Sequence, residues 1–232
     1  SDECRDIVYN GSEILVAGYS NATWGSPARA YSSGYDTMVA KLNASSGALI
    51  WNSFLGGSGT DYGRGISFAN PGGYVYVSGY SNATWGTSPK RTYTAGNDGY
   101  AAKLDSSGAL VWHAFLGGSG EDYGRDIYAL SAFAIYAVGY SDATWSAPTI
   151  AHHGGKDAYI VLLDSNGLMS WLSFLGGSGD DYGNAIHVHS AGSEYVLGGS
   201  TATWGSPVRA FSGVSEDVFI AKVGASGTLT WN

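Results

Sequence analysis

An all-β fold of four repeated sheets is what this sequence predicts, and three observations predict it. The stretch Phe115-Leu-Gly-Gly-Ser-Gly-Glu-Asp-Tyr-Gly-Arg-Asp-Ile127 has near copies at 54–66 and 174–186, and a clipped fourth copy at 1–7. Asp2, Asp61, Asp122 and Asp181 in these copies fall 59, 61 and 59 residues apart. A self-similar period of this length signals stacked copies of one supersecondary unit. The composition agrees, because 36 glycines and only 13% charged residues favour short strands and tight turns. Finally, no apolar run has a helical period with capping signals, whereas Tyr74-Val-Tyr-Val-Ser alternates as a two-faced strand does. Four four-stranded sheets joined by Gly-rich links suit radial packing about an axis. The architecture expected is therefore a β-propeller with one unit per blade.

Taken in order, each unit reads as four short strands. The first gives 7–10, 14–20, 37–42 and 48–55, and the second 65–69, 74–80, 99–104 and 109–116. The third gives 127–130, 134–141, 158–163 and 168–175, and the fourth 186–189, 195–200, 218–223 and 228–231. Turn chemistry separates them: Asn70-Pro-Gly-Gly73 and Asp105-Ser-Ser-Gly108 close two hairpins of the second unit. The blades are set at approximately 1–55, 56–116, 117–175 and 176–232 of a single domain. Antiparallel succession places every link and every long loop (20–36, 81–98, 141–157, 200–217) on one face. The opposite face keeps only tight turns. Loops longer than a hairpin needs, carried on a rigid scaffold, are where function tends to sit.

Three motifs carry a family resemblance: the strand Tyr74-Val-Tyr-Val-Ser-Gly, the strand Asp36-Thr-Met-Val-Ala-Lys-Leu42 and the turn Leu55-Gly-Gly-Ser-Gly-Thr-Asp61. Together they resemble the SBBP-type beta-propeller repeat family, over nearly the whole chain. The resemblance implies a propeller fold and a secreted or surface location. It also implies seven blades, where this chain supplies four.

Charge narrows the partners. A net charge of −8 and a pI near 4.9 repel phosphate, which argues against nucleic acid and anionic membrane surfaces. The longest apolar stretch, 128–140, is 13 residues, short of the roughly 20 that a helix needs to cross a bilayer. No secretory leader is read, so the chain is expected to be mature or never exported. The single cysteine, Cys4, has no partner for an internal disulfide.

All eight tryptophans occupy two repeat positions. Trp51, Trp112, Trp171 and Trp231 lie in fourth strands and are expected to pack between sheets. Trp24, Trp85, Trp145 and Trp204 lie in the long loops, where they either stack on sugars or a partner or pin each loop to its blade. Asp61, Asp122 and Asp181 each precede Arg64, Arg125 or its replacement, Asn184, by three residues; Asp2 and Arg5 match them. Such a carboxylate is expected to accept turn N–H groups or to pair with the arginine. Alternatives are a Ca²⁺ site at the three aspartates, or a catalytic carboxylate pair as in propeller glycosidases and lyases. No D-x-D-x-D-G run, nucleophile motif or nucleotide fingerprint occurs. His187 and His189 share one strand face, and His152-His153 offers further nitrogens, which is a zinc donor set without an evident third ligand. Four N-x-S/T sequons, at Asn10, Asn21, Asn43 and Asn82, fall in turns or loops.

The function expected is that of a non-catalytic, extracellular or cell-surface glycoprotein, a structural or interaction module without a cofactor. The alternatives are a carbohydrate-binding propeller using the loop tryptophans, and a glycosidase or lyase with axial carboxylates. No strand clasps the two ends of the array. Either side chains of the first and fourth blades pack together to close it, or exposed outer strands pair with another chain in a multimer, sheath or filament. Self-association, other surface proteins and glycans are the partners expected.

Overall fold

The computed structural model describes residues 1–69, 72–213 and 215–232. Asn70 and Pro71, which begin the expected turn 70–73, lie outside the described residues. Among the described residues sixteen strands build four sheets. The first holds β1 (Asp2–Tyr9), β2 (Glu13–Ser20), β3 (Asp36–Asn43) and β4 (Leu49–Leu55). The second holds β5 (Asp61–Ala69), β6 (Tyr74–Ser81), β7 (Asp98–Leu104) and β8 (Leu110–Leu116). The third holds β9 (Asp122–Ser131), β10 (Ala134–Ser141), β11 (Asp157–Leu163) and β12 (Met169–Leu175). The fourth holds β13 (Asp181–Ser190), β14 (Ser193–Ser200), β15 (Asp217–Val223) and β16 (Leu229–Trp231). Each sheet is an antiparallel meander in chain order, and the four pack in series as propeller blades.

The first strand of every blade is longer than the sequence suggests. Asp-Tyr-Gly-Arg reads as a turn, yet Asp61, Tyr62 and Gly63 pair with Ser81, Tyr80 and Gly79. The glycine serves close approach: a Cβ on Gly63 would stand 2.5 Å from the Gly18 carbonyl oxygen of the preceding blade. Gly124 meets the Gly79 carbonyl and Gly183 the Gly139 carbonyl in the same way. Three seams thus share one backbone-to-backbone crossing that no side chain could enter.

Side chains then fill the seams. Val39, Val75 and Val77 and Leu55 are fully buried between the first two blades. Tyr159, Val161, Leu163 and Phe174 do the same further along. Trp51, Trp112 and Trp171 also pack across seams, whereas Trp231, expected to do the same, is 40% exposed because no blade follows it among the described residues. The indole N–H groups of Trp51 and Trp112 donate to the carbonyls of Ser106 and Ser165 of the following blade, each at 3.0 Å.

The first strands contact in succession, β1 with β5, β5 with β9 and β9 with β13. Among the described residues no comparable contact returns from β13 to β1. Closure by side-chain packing is therefore corrected. Three seams of one geometry do not bring the last blade round to the first, and Ile7 and Val218 stay 63% and 78% exposed. No helix of the structure is long and apolar enough to cross a membrane, among the described residues.

Candidate binding surface

Links and long loops do share a face, and the Gly-Gly of each link shows why. A Cβ on Gly57, Gly118 or Gly177 would stand 2.9, 2.8 or 2.8 Å from the Cβ of Trp85, Trp145 or Trp204. The loop tryptophan lies against the link that enters its own blade. Trp85 and Trp145 are 3% exposed and Trp204 7%; Trp24 is half-buried. Trp85 stacks on His113 at 4.1 Å and meets Tyr100 edge-on, while the Arg29 guanidinium of the preceding blade lies 5.7 Å from the ring centre. Arg91 covers Trp145 at 4.9 Å. In this setting the rings fasten their loops and turn little face to solvent.

His113 is part of the same fastening. Its Nε2 lies 2.8 Å from the Trp85 carbonyl oxygen, where Asn52 and Asn232 donate to the carbonyls of Trp24 and Trp204. Burial pushes the imidazole down to about 4, so it stands neutral.

The link aspartates accept turn N–H groups: Oδ2 of Asp61, Asp122 and Asp181 takes the amide of Gly57, Gly118 and Gly177 at 2.9, 2.8 and 2.9 Å. They do not pair with the arginines three residues on, because an extended strand sends such residues to opposite faces. Each approaches a third-strand aspartate across the seam. Oxygens of Asp36 and Asp61 both close on the Cβ position of Gly56, and those of Asp157 and Asp181 on that of Gly176. All of these carboxylates are 0% exposed. Desolvation, the largest cause, raises Asp61, Asp98, Asp122 and Asp157 to about 6. Among the described residues no group of three or more His, Cys, Asp or Glu is placed to hold a metal ion, which bears on both the Ca²⁺ and the zinc alternatives. His187 and His189 are exposed, with His187 edge-on to Tyr128; His152 Nε2 lies 3.2 Å from the Ser141 carbonyl oxygen.

The sequons have a local explanation. Asn82 Oδ1, Asp142 Oδ1 and Thr201 Oγ1 occupy one repeat position and accept the link amides of Thr60, Glu121 and Asp180 at 2.7, 2.8 and 2.7 Å. Asn21 Oδ1 accepts from the Ser1 amino group. What the position requires is a side-chain oxygen, and Asn, Asp and Thr all supply one. Asn21, Asn43 and Asn82 are exposed, whereas the Asn10 amide donates to Glu13 at 2.8 Å.

The surface that sequence reasoning missed is a band of tyrosines along the inner margin of the link face. Tyr62 faces Tyr80 across one strand pair and Tyr123 faces Tyr140 across another. The ring centres run Tyr19–Tyr62 4.5 Å, Tyr62–Tyr80 5.2 Å, Tyr80–Tyr123 4.6 Å, Tyr123–Tyr140 4.9 Å and Tyr140–Tyr182 4.9 Å. Five of these six rings are half-buried, and Tyr140 is buried. Arg5, Arg64 and Arg125 donate to the hydroxyls of Tyr19, Tyr80 and Tyr140 at 3.1, 3.2 and 3.1 Å. Acidic partners stand beside them: Tyr123 donates to Glu121 at 3.1 Å, and Asn97 donates to that carboxylate and to the Tyr123 hydroxyl. Tyrosines that recur in Asp-Tyr-Gly and in Gly-Tyr-Ser were the available signal. The band stops in blade four, where Gly199 replaces the second-strand tyrosine and Asn184 the arginine.

No protein-family model matches this chain, and neither does any curated protein. What the repeats and the coordinates establish is four repeated four-stranded antiparallel sheets.

Proposed function

We propose that the chain is a non-catalytic interaction module of the SBBP type that binds saccharide chains through the tyrosine–arginine band. The observation that carries this is the continuous run of tyrosine rings from Tyr19 to Tyr182, all half-buried except the buried Tyr140. Aromatic rings offer flat apolar faces, and the arginines and carboxylates around them offer paired donors and acceptors for hydroxyl groups. The buried carboxylate pairs support the absence of catalysis, because they are sealed from any substrate and recur from seam to seam.

A glycan screen tests the band. Tyr80→Ala and Tyr123→Ala are expected to weaken saccharide binding tenfold or more, about 1.4 kcal/mol or above, while Trp24→Ala leaves it unchanged. Equal binding by all three variants would remove the band as the contact surface.

The same reading places the protein outside the cell, as a surface or secreted glycoprotein. Asn21 and Asn82 are exposed on the long-loop face, so peptide mapping of native material is expected to find sugar on both. Bare asparagine at the two positions would count against that location.

A further inference from the structure

Each seam is built from a trailing face on one blade and a leading face on the next, and the two ends of the array carry one unmatched face each. We propose that the trailing face of the fourth blade receives the leading face of the first blade of a second copy of this chain, head to tail.

The trailing face is known from three occupied examples. Val39, Ala101 and Ile160 stand at one repeat position and are 0% exposed; Ile220 at that position is 51% exposed. Thr37 and Ala158 are 0% exposed, and their counterpart Val218 is 78% exposed. Trp51 and Trp112 are 8% and 5% exposed against 40% for Trp231. Around Trp231, Val218 and Ile220 lies an apolar groove of about 710 Å³ that also takes in Trp204 and Phe211. At the three inner seams the following blade occupies this place.

The leading face on blade one is equally unmatched, and its features answer those of blade four. Ile66, Ile127 and Ile186 are 4%, 2% and 7% exposed, and Ile7 is 63% exposed. Gly108, Gly167 and Gly227 lie against the rings of Trp51, Trp112 and Trp171; Gly47, at the same turn position, has nothing within 4 Å of its Cβ direction. Trp231 has a ring without such a glycine. Arg29 and Arg91 each cover the loop tryptophan of the next blade. Arg209, at the same repeat position, is exposed, while Ile150 takes that position in the third blade, so among the described residues neither Trp24 nor Trp204 lies under an arginine. Ring to glycine and isoleucine to apolar strand residue match in the register of the three seams already present, and arginine to indole in that of the first two. Such a contact joins unlike faces, so it closes a ring of copies or propagates as a filament.

Sedimentation of the 232-residue chain over a range of concentrations tests this. Association beyond the monomer is expected. Ile220→Asp and Ile7→Asp, both at exposed positions, should each raise the apparent dissociation constant on the order of 100-fold by burying a charge. Mixed together, the two variants keep one sound face of each kind and should form a one-to-one pair. Far-UV circular dichroism checks that both stay folded. A folded wild-type chain that remains monomeric at the highest concentration would overturn the proposal, and so would an Ile7→Asp chain that associates as well as wild type.

Discussion

Trp85→Ala is expected to destabilise the protein by about 3–5 kcal/mol, the usual cost of emptying a buried aromatic site. For a chain of this size that corresponds to a melting point lower by roughly 10 °C. The ring is nearly enclosed, stacks on His113 and lies beneath Arg29, so its removal also leaves a buried imidazole beside a void. Trp24→Ala should cost much less, because Trp24 is half-buried and meets Phe54 at 6.2 Å without a guanidinium above it. Urea unfolding of the two variants beside wild type gives the comparison. Equal losses would mean that the seam does not hold the loop, and no loss at Trp85 would end the fastening role.

Acidification from pH 7.5 to pH 5 is expected to stabilise the fold, raising the melting point by several degrees. Burial pushes Asp61, Asp98, Asp122, Asp126 and Asp157 up to about 6, from about 4 in an unfolded chain. Between those values the native state holds more protons than the unfolded state, so stability falls as pH rises through the window and levels off above it. Backbone N–H bonds, together with Arg29 near Asp61 and Arg91 near Asp98, lower these values but do not cancel the desolvation. His113, pushed down to about 4, has the opposite slope over the same range, and five carboxylates outweigh it. Below pH 4 the trend should reverse as Glu13, held down by Lys41, takes a proton. A thermal melt series from pH 3.5 to 8, repeated with Asp122→Asn, reads the slope. A melting point that is flat or rises between pH 5 and 7.5 would show the pairs to be solvated.

Strands two to four of each blade were legible because apolar alternation and Gly-rich turns mark their limits. The start of the first strand was not. Asp61-Tyr-Gly-Arg64 carries turn residues, but Gly63 is small because Gly18 of another blade crosses it, a distance that no local pattern encodes. The tyrosine band was hidden for a related reason. Tyr80 and Tyr123 lie 43 positions apart, and only the rotation between blades brings their rings to 4.6 Å. The acceptor role of Asn82 was open to the sequence, since alignment of the units sets Asn, Asp and Thr in one column. Asn21 and Asn82 of that column also belong to N-x-S/T sequons, a pattern that points to the solvent side of the loop and carries no information about the link amide. His113 escaped because its equivalents are Asn52 and Asn232, a likeness of reach and donor geometry.

The Gly18–Gly63 crossing and its two repeats have a consequence for how such a chain changes over generations. Among the described residues the principal contacts of each blade are with its neighbours, and each of the three junctions has the same glycine crossing. A duplicated or deleted stretch of about one repeat, cut anywhere in the period, rejoins a trailing half to a leading half that already fits it. Blade number is then the most readily altered property of the molecule, while the residues at each junction are the least free to drift.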